Sequence, residues 1–308
     1  MKNLLTIRFA MLFLSGATTA ATGQNTAPPE PPPAMDAVIG DYVRGDRVVY
    51  VTEMNGQLRL RANAFQSVVL RDIPRNDSLL VNGAWYVRRA AETGTFRITP
   101  RRPVEELRAE ALRATPPIQP DSLRAPDLVE LKALDPTIKY DIRYATTNNF
   151  MSAVFYSQPR AFLQRPAAEA VVRAHQKLKA LGYGLLIHDA YRPWYVTRMF
   201  WDATPDSLRH FVADPRAGSR HNRGAAVDLT LYDLQTGQPI EMPGGYDEFS
   251  SRSYPDYPGG TERQRWHREL LRRVMEAEGF RVYEFEWWHF DYQDWRRYPV
   301  LNKRFEEL

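Results

Sequence analysis

The sequence predicts an α+β protein in two parts: a C-terminal domain with a central, mainly antiparallel sheet flanked by helices, preceded by a small antiparallel β domain. Three observations carry this expectation. At 308 residues with 44% hydrophobic side chains, the chain is long enough to bury two cores. Short β-branched and aromatic runs separated by Asn-Gly pairs fill residues 37–100, whereas helical spacings alternate with strand-like runs after residue 126. Proline-rich stretches stand at Pro28–Pro33 and Pro116–Pro126, where connections between packed parts belong.

Taken in order, Met1–Arg8 carries Lys2 and Arg8, Phe9–Ala17 is apolar and Thr18–Ala21 is small, which reads as a secretory signal peptide over residues 1–21. An apolar run of roughly ten residues is half of the about twenty that a membrane span needs, and no later segment is longer. The expectation is a secreted, periplasmic protein with no transmembrane segment. Residues 22–36 read as a proline-rich linker. Residues 37–100 read as the small β domain, with strands at Val48–Thr52, Leu58–Arg61, Val68–Leu70, Leu79–Val81, Trp85–Val87 and Phe96–Ile98, and with Asn55-Gly56 and Asn82-Gly83 as hairpin turns. Leu58 and Leu60 alternate with Arg59 and Arg61, the pattern of one buried and one solvated face. No cluster of histidines or paired carboxylates lies here, so a stabilising or docking role is expected.

Residues 101–125, with a charged helix at Val104–Ala114, read as a helical and proline-rich linker. In the remaining residues 126–308, Pro166 opens a helix that Gly182 closes, on the spacing of Ala168, Val171, Val172, Leu178 and Leu181. Gly184–His188 reads as a buried strand. Trp194–Phe211 reads as helix broken at Pro205, and Thr261–Glu278 as a helix with a Thr261/Gln264 capping box and a stop at Gly279. Ala225–Tyr232 and Arg281–Phe290 are strand-like.

Composition excludes several classes of function. The formal net charge of +4 loses two units with Lys2 and Arg8, too little for a nucleic-acid footprint. With no cysteine, disulfides, thiolate metal sites, a cysteine nucleophile and a lipoprotein anchor are all excluded, and any metal must be held by His and carboxylates. Of six histidines, His175, His188, His210 and His267 fall in helices or at the end of a buried strand and read as ordinary hydrogen-bonded imidazoles. His221 stands near Asp228, and Glu286 near His289, within or just before the strand-like runs. As spacings these pairs are weak, because buried polar residues are usually only hydrogen-bonded structure. Alternation along Ala226–Leu231 sets Asp228 on the face opposite Val227 and Leu229. In a regular strand Glu286 and His289 would face opposite ways, so bringing both to one site requires a bulge at Trp287-Trp288.

The segment Ser219-Arg220-His221-Asn222-Arg223-Gly224-Ala225-Ala226-Val227-Asp228-Leu229 resembles the S-x-H-x-x-G-x-A-x-D-L signature, and Glu286-Trp287-Trp288-His289 the E-W-W-H signature, of the zinc D-Ala-D-Ala dipeptidases of the VanX-like type. Tyr144–Phe150, Asp189–Pro193 and Gly245–Phe249 match as well, so the resemblance spans residues 126–308 and nothing before them. It implies a D,D-peptidase/hedgehog-like fold and one zinc ion per chain held by His221, Asp228 and His289, three protein ligands with a fourth position open. It implies Glu286 as general base toward the metal-activated water, and Arg192 as a donor to the oxyanion. It further implies that Asp247 meets the free ammonium of a small dipeptide, with Ser219 and Tyr144 assisting.

The function so implied is hydrolysis of D-alanyl-D-alanine or a related cell-wall D,D-dipeptide. A D,D-carboxypeptidase or peptidoglycan endopeptidase of the same fold is the nearest alternative, and an acid placed for a free amine argues against it. A zinc-bearing cell-wall binding module without turnover is the other, and it would have no need of Glu286 as a base.

Overall fold

The computed structural model describes residues 26–62, 66–70, 77–89 and 97–308. They fall into two compact units, one formed by the described residues up to 89 with 258–266 and the other by residues 97–257 with 267–308. The expected signal peptide, residues 1–21, lies outside the described residues.

In the first unit a single helical turn, α1 (Pro33–Asp36), interrupts what the sequence presents as linker. It precedes β1 (Gly40–Arg44), β2 (Arg47–Met54), β3 (Gln57–Arg61), β4 (Ser67–Val69), β5 (Ser78–Val81) and β6 (Ala84–Arg88). These form one antiparallel sheet in the order β4-β3-β2-β1-β6-β5. Both Asn-Gly pairs make the expected hairpins, with φ of 53° and 69° at Asn55 and Gly56 and of 49° and 78° at Asn82 and Gly83, the left-handed pair that a two-residue turn needs. Tyr42, Val49, Val51, Leu58, Leu79 and Tyr86 form the core. β1 escapes the sequence reading because Gly40 and Asp41 dilute its apolar pattern. The strand expected at Phe96–Ile98 is a correction: Phe96 is outside the described residues, and Arg97 and Ile98 lie in no strand. Ile98 instead donates its N–H to the Phe150 carbonyl at 2.7 Å.

The second unit contains α2 (Val104–Arg113), β7 (Leu128–Glu130), α3 (Leu131–Leu134), β8 (Lys139–Tyr140), β9 (Phe162–Gln164), α4 (Arg165–Lys179), β10 (Tyr183–Asp189), α5 (Trp194–Ala203), β11 (Ala226–Asp233), α6 (Glu262–Glu276) from His267 onward, its first residues 262–266 being counted with the first unit, β12 (Phe280–Tyr283) and β13 (Glu286–Tyr292). α2 packs on α5 and buries Leu107 and Ala111, so this stretch belongs to the second unit's core. The main sheet runs β12-β13-β11-β10-β8, antiparallel except for β8 against β10. This is the expected α+β arrangement of a mainly antiparallel sheet with helices. α4 lays Ala167, Ala170, Val171, Ala174 and Leu178 inward and packs on β10. Gly182 takes a left-handed φ of 89° after it. α6 carries the expected capping box, Gln264 N–H to Thr261 Oγ1 at 3.0 Å and Thr261 N–H to Gln264 Oε1 at 2.9 Å. Residues Asp206–Phe211 form a 3-10 turn after Pro205.

Arg281–Phe290 is not one strand but the hairpin β12–β13, turning at Glu284-Phe285. Its apolar pattern runs through the turn because Phe285 stacks edge-on against Tyr254 and Tyr283.

Two irregularities distort this sheet on either side of β11. β10 pairs Ile187 with Leu229 but Asp189 with Asp228, so His188 is the extra residue of a bulge. β12 pairs Val282 with Phe290 but Tyr283 with Glu286, so Trp287, Trp288 and His289 are surplus on β13, where the sequence demanded a bulge. Between these distortions Asp228 is paired on one side with Asp189 and on the other with His289.

Candidate metal and catalytic centre

That row across three strands brings chemistry-bearing side chains together. Asp228 is buried on β11, His289 on β13, and His221 opens a 3-10 turn, His221–Arg223, that Gly224 ends with a left-handed φ of 62°. The left-handed φ favours glycine there, and a Cβ would come within 2.4 Å of Leu128 Cδ2 and displace that side chain. Asn222, fully buried, locks the turn: its Oδ1 accepts from Ser219 N–H at 2.7 Å, and its Nδ2 donates to the Arg192 carbonyl at 2.8 Å and to Thr197 Oγ1 at 2.9 Å.

Three atoms converge: His221 Nε2 lies 3.1 Å from His289 Nδ1, His289 Nδ1 lies 3.0 Å from Asp228 Oδ1, and His221 Nε2 lies 3.3 Å from the same oxygen. The other nitrogen of each ring is already committed. His221 Nδ1 faces the Ala190 carbonyl at 2.7 Å, and His289 Nε2 faces Asp291 Oδ1 at 2.9 Å, which only accept. Each neutral imidazole therefore donates outward and turns a lone pair inward. With both rings neutral, two lone pairs and a carboxylate oxygen face one another at 3.0–3.3 Å, an arrangement that a cation between them would satisfy. His221, Asp228 and His289 thus form a buried group able to hold a metal ion.

The electrostatics carry this imprint. Burial opposes the charge of His289, but Asp291 and Asp228 outweigh it and push the imidazolium up to about 10. Burial also opposes the charge of Asp228, yet His221 and His289 hold its carboxyl far below the ordinary range. Glu286, with Oε2 3.8 Å from His289 Nδ1 and its side chain 26% exposed, is pushed up to about 7, first by burial and then by Asp228 against the opposing pull of His289.

The remaining expected residues divide. Tyr144 and Asp247 are brought together, Tyr144 donating its hydroxyl to Asp247 Oδ2 at 3.0 Å. Asp247 is no solvated loop acid: it is buried, and burial, then Asp228 and Glu286, raise its carboxyl well above the usual range. Ser219 spends its Oγ accepting from His221 N–H at 3.1 Å, which fixes the histidine turn. Arg192 makes two bonds to Asp189 Oδ2, at 3.0 and 2.7 Å, and lies over the rings of Tyr144 and Phe200 at 5.1 and 5.0 Å. Its backbone N–H also bonds the His221 carbonyl at 3.1 Å. His175 accepts from Leu185 N–H at 3.0 Å and meets Thr137 Oγ1 at 2.9 Å, and His267 meets the Tyr183 hydroxyl at 3.0 Å, as expected of structural histidines.

Sequence reasoning gives no role to three residues of this centre. Asp291 orients His289 and lies 3.1 Å from Arg220; its position two residues beyond His289, hence on the same strand face, is the available signal. Asp189 bonds Arg192 and accepts from the Tyr156 hydroxyl at 2.7 Å. Tyr246 donates to Asp228 Oδ2 at 3.1 Å, and nothing in its spacing announces that.

The profile of the peptidase M15 family, described as D-Ala-D-Ala dipeptidase, matches residues 124–308. The chain belongs to this family. A D-alanyl-D-alanine dipeptidase of Escherichia coli (strain K12) is 35% identical over 179 residues, which are 58% of this chain and 91% of that protein. One of Enterococcus faecalis (strain ATCC 700802 / V583) is 35% identical over 171 residues, 50% of this chain and 85% of that protein. The solved LD-carboxypeptidase LdcB overlaps 57% of this chain and 69% of its own at 18% identity and a TM-score of 0.31, too slight a likeness to bear on function. As a member of the M15 family the chain is a peptidase, and its buried His-Asp-His group lies inside the matched segment. Among the described residues no helix is long and apolar enough to cross a membrane.

Proposed function

We propose that this chain is an exported zinc-dependent dipeptidase that hydrolyses D-alanyl-D-alanine or a related cell-wall D,D-dipeptide, with residues 126–308 carrying the chemistry. The observation that carries the reading is the convergence of two inward-facing imidazole lone pairs and Asp228 Oδ1 within 3.3 Å of one another. A carboxylate that is not one of the three, Glu286, stands beside them. His221, Asp228 and His289 would hold one zinc ion, which when bound supplies a Lewis acid that makes water acidic and polarises a carbonyl.

Glu286 is the general base. A carboxyl pushed up to about 7 is poised to take a proton from the attacking water near neutral pH and to pass it to the leaving amine. Arg192 uses two N–H groups on Asp189; the guanidinium has five, and those remaining can donate to the oxyanion as the carbonyl becomes tetrahedral. Asp247, its carboxyl raised by burial and by neighbouring acids, is favoured in its ionised form when an ammonium binds beside it, and Tyr144 steadies it by a hydrogen bond. Ser219 contributes through the His221 turn. The Met1–Ala21 pattern supports export to the periplasm.

Asp247 separates this reading from a carboxypeptidase or endopeptidase acting on longer chains. Acylating the amine of the dipeptide removes the charge and adds bulk against a buried acid. N-acetyl-D-Ala-D-Ala should therefore be cleaved at least ~10²-fold more slowly than D-Ala-D-Ala, about 2.7 kcal/mol of barrier, and Asp247→Asn should narrow the gap by harming mainly the free dipeptide. Equal kcat/KM on both substrates in the unmodified protein would move the chain to the carboxypeptidase reading.

A further inference from the structure

The two oxygens of Asp228 have different partners. Oδ1 is the one on which His289 Nδ1 and His221 Nε2 converge, at 3.0 and 3.3 Å, while Oδ2 takes the hydroxyl of Tyr246 at 3.1 Å. An ionised carboxylate only accepts, so the phenol donates. Tyr246 is itself clamped and buried. Its ring lies 4.5 Å from that of His188 at an interplanar angle of 34° and 5.5 Å from Trp288 at 64°. The Arg143 guanidinium lies 5.7 Å from its centroid. His188 is the extra residue of the β10 bulge and Trp288 one of the surplus residues on β13. The clamp on Tyr246 is thus made by the two distortions that flank Asp228 in the sheet. The next residue, Asp247, has a left-handed φ of 55°, which departs from strand alternation and allows consecutive side chains to reach Asp228 and Tyr144 in one site.

We infer that Tyr246 is a positioning residue that pins Oδ2 of Asp228, so that Asp228 presents one oxygen rather than two to the metal. This rests on the metal reading proposed above. Partners that hydrogen-bond a metal ligand fix its orientation and tune the site. Here the pinned oxygen keeps Asp228 from closing on the ion with both oxygens and filling the position a catalytic site must leave open.

The test is Tyr246→Phe, which keeps the ring packed against His188 and Trp288 and removes one oxygen. Zinc affinity is read by competition with a chromophoric chelator, and coordination by the visible bands of the cobalt-substituted protein. The expected result is zinc binding weakened ~10-fold or more, within the range for loss of a partner of a metal ligand, and cobalt bands reduced in intensity as Asp228 turns a second oxygen inward. Tyr246→Leu, which also lacks the hydroxyl, should weaken zinc at least as much. Zinc affinity within twofold of the unmodified protein together with an unchanged cobalt spectrum would overturn the inference and leave Tyr246 a packing residue. Uptake of neither metal by the unmodified protein, or undiminished uptake by His289→Ala, would instead overturn the metal reading, and the inference with it.

Discussion

In the first unit's sheet, β5 and β6 bury Leu79 and Tyr86 while Leu80, Trp85 and Val87 face outward, 53%, 63% and 56% exposed; in the second unit's sheet, β10 is buried at every position and β11 at all but its last. Both sheets alternate side chains about the strand, so the difference lies in what covers the second face. A strand covered on one side can carry polar residues at no cost, and they say little. Covered on both sides, a strand can keep Asp189, Asp228, His289 and Asp291 only if each is bonded, and Asp228 and His289 among them form, with His221, a buried group able to hold a cation. The buried acids divide the same way. Two imidazoles pull the carboxyl of Asp228 down against the effect of burial, whereas burial, reinforced by Asp228 and Glu286, raises that of Asp247.

The contrast can be broken first on stability. Phe290→Ala empties a fully buried position of β13 and should cost about 3–5 kcal/mol, whereas Trp85→Ala, on the exposed face of β6, should cost under ~1 kcal/mol; urea unfolding of the two variants decides it. Equal losses would mean that the outer face of β6 is covered in the native protein.

Next comes the boundary between the parts. A chain shortened to begin at residue 97 keeps α2 on α5; one beginning at residue 120 uncovers the surface against which Leu107 and Ala111 are buried. The second should be less stable than the first by about 1.5–3 kcal/mol, the worth of a buried leucine side chain. Indistinguishable midpoints would return residues 101–125 to the role of a linker.

The pH response sharpens the electrostatic half of the comparison. Glu286 is raised from 4.5 to about 7 and His289 from 6.5 to about 10, so in the metal-free protein the folded state binds more protons than the unfolded state from about pH 4.5 upward. Stability should therefore fall as pH rises across pH 5–9. A metal ion takes the place of the proton on His289, so zinc should raise Tm more at pH 9 than at pH 6. Thermal melts with chelator and with zinc at both pH values check this, and a metal-free Tm that rises with pH would contradict the assignment of His289 Nδ1 to the centre.

How much of this is legible in the sequence depends on whether a residue's partners are local. The hairpins of the first unit are readable because Asn55-Gly56 and Asn82-Gly83 encode their own turns. The capping box of α6 is readable because Thr261 and Gln264 serve each other. His221, Asp228, Glu286 and His289 are recognisable from two short motifs, and the distortion at Trp287-Trp288 follows from requiring two residues three apart to meet at one point. The bulge at His188 is not readable, because an apolar run pairs equally well in either register, and with it go the roles of Asp189 and Tyr246, whose partners Tyr156 and Asp228 lie 33 and 18 residues away. Arg281–Phe290 misleads because its turn residue Phe285 is as apolar as the strands it joins.

The central claim, that His221, Asp228 and His289 hold the metal while Glu286 moves the proton, is tested most directly by metal content and turnover measured together on Glu286→Ala. The account predicts about one zinc ion per chain and a kcat on D-Ala-D-Ala lowered at least ~10²-fold, the scale of general acid-base catalysis. A Glu286→Ala protein that is empty of zinc, or that turns over at a near-normal rate, would contradict it.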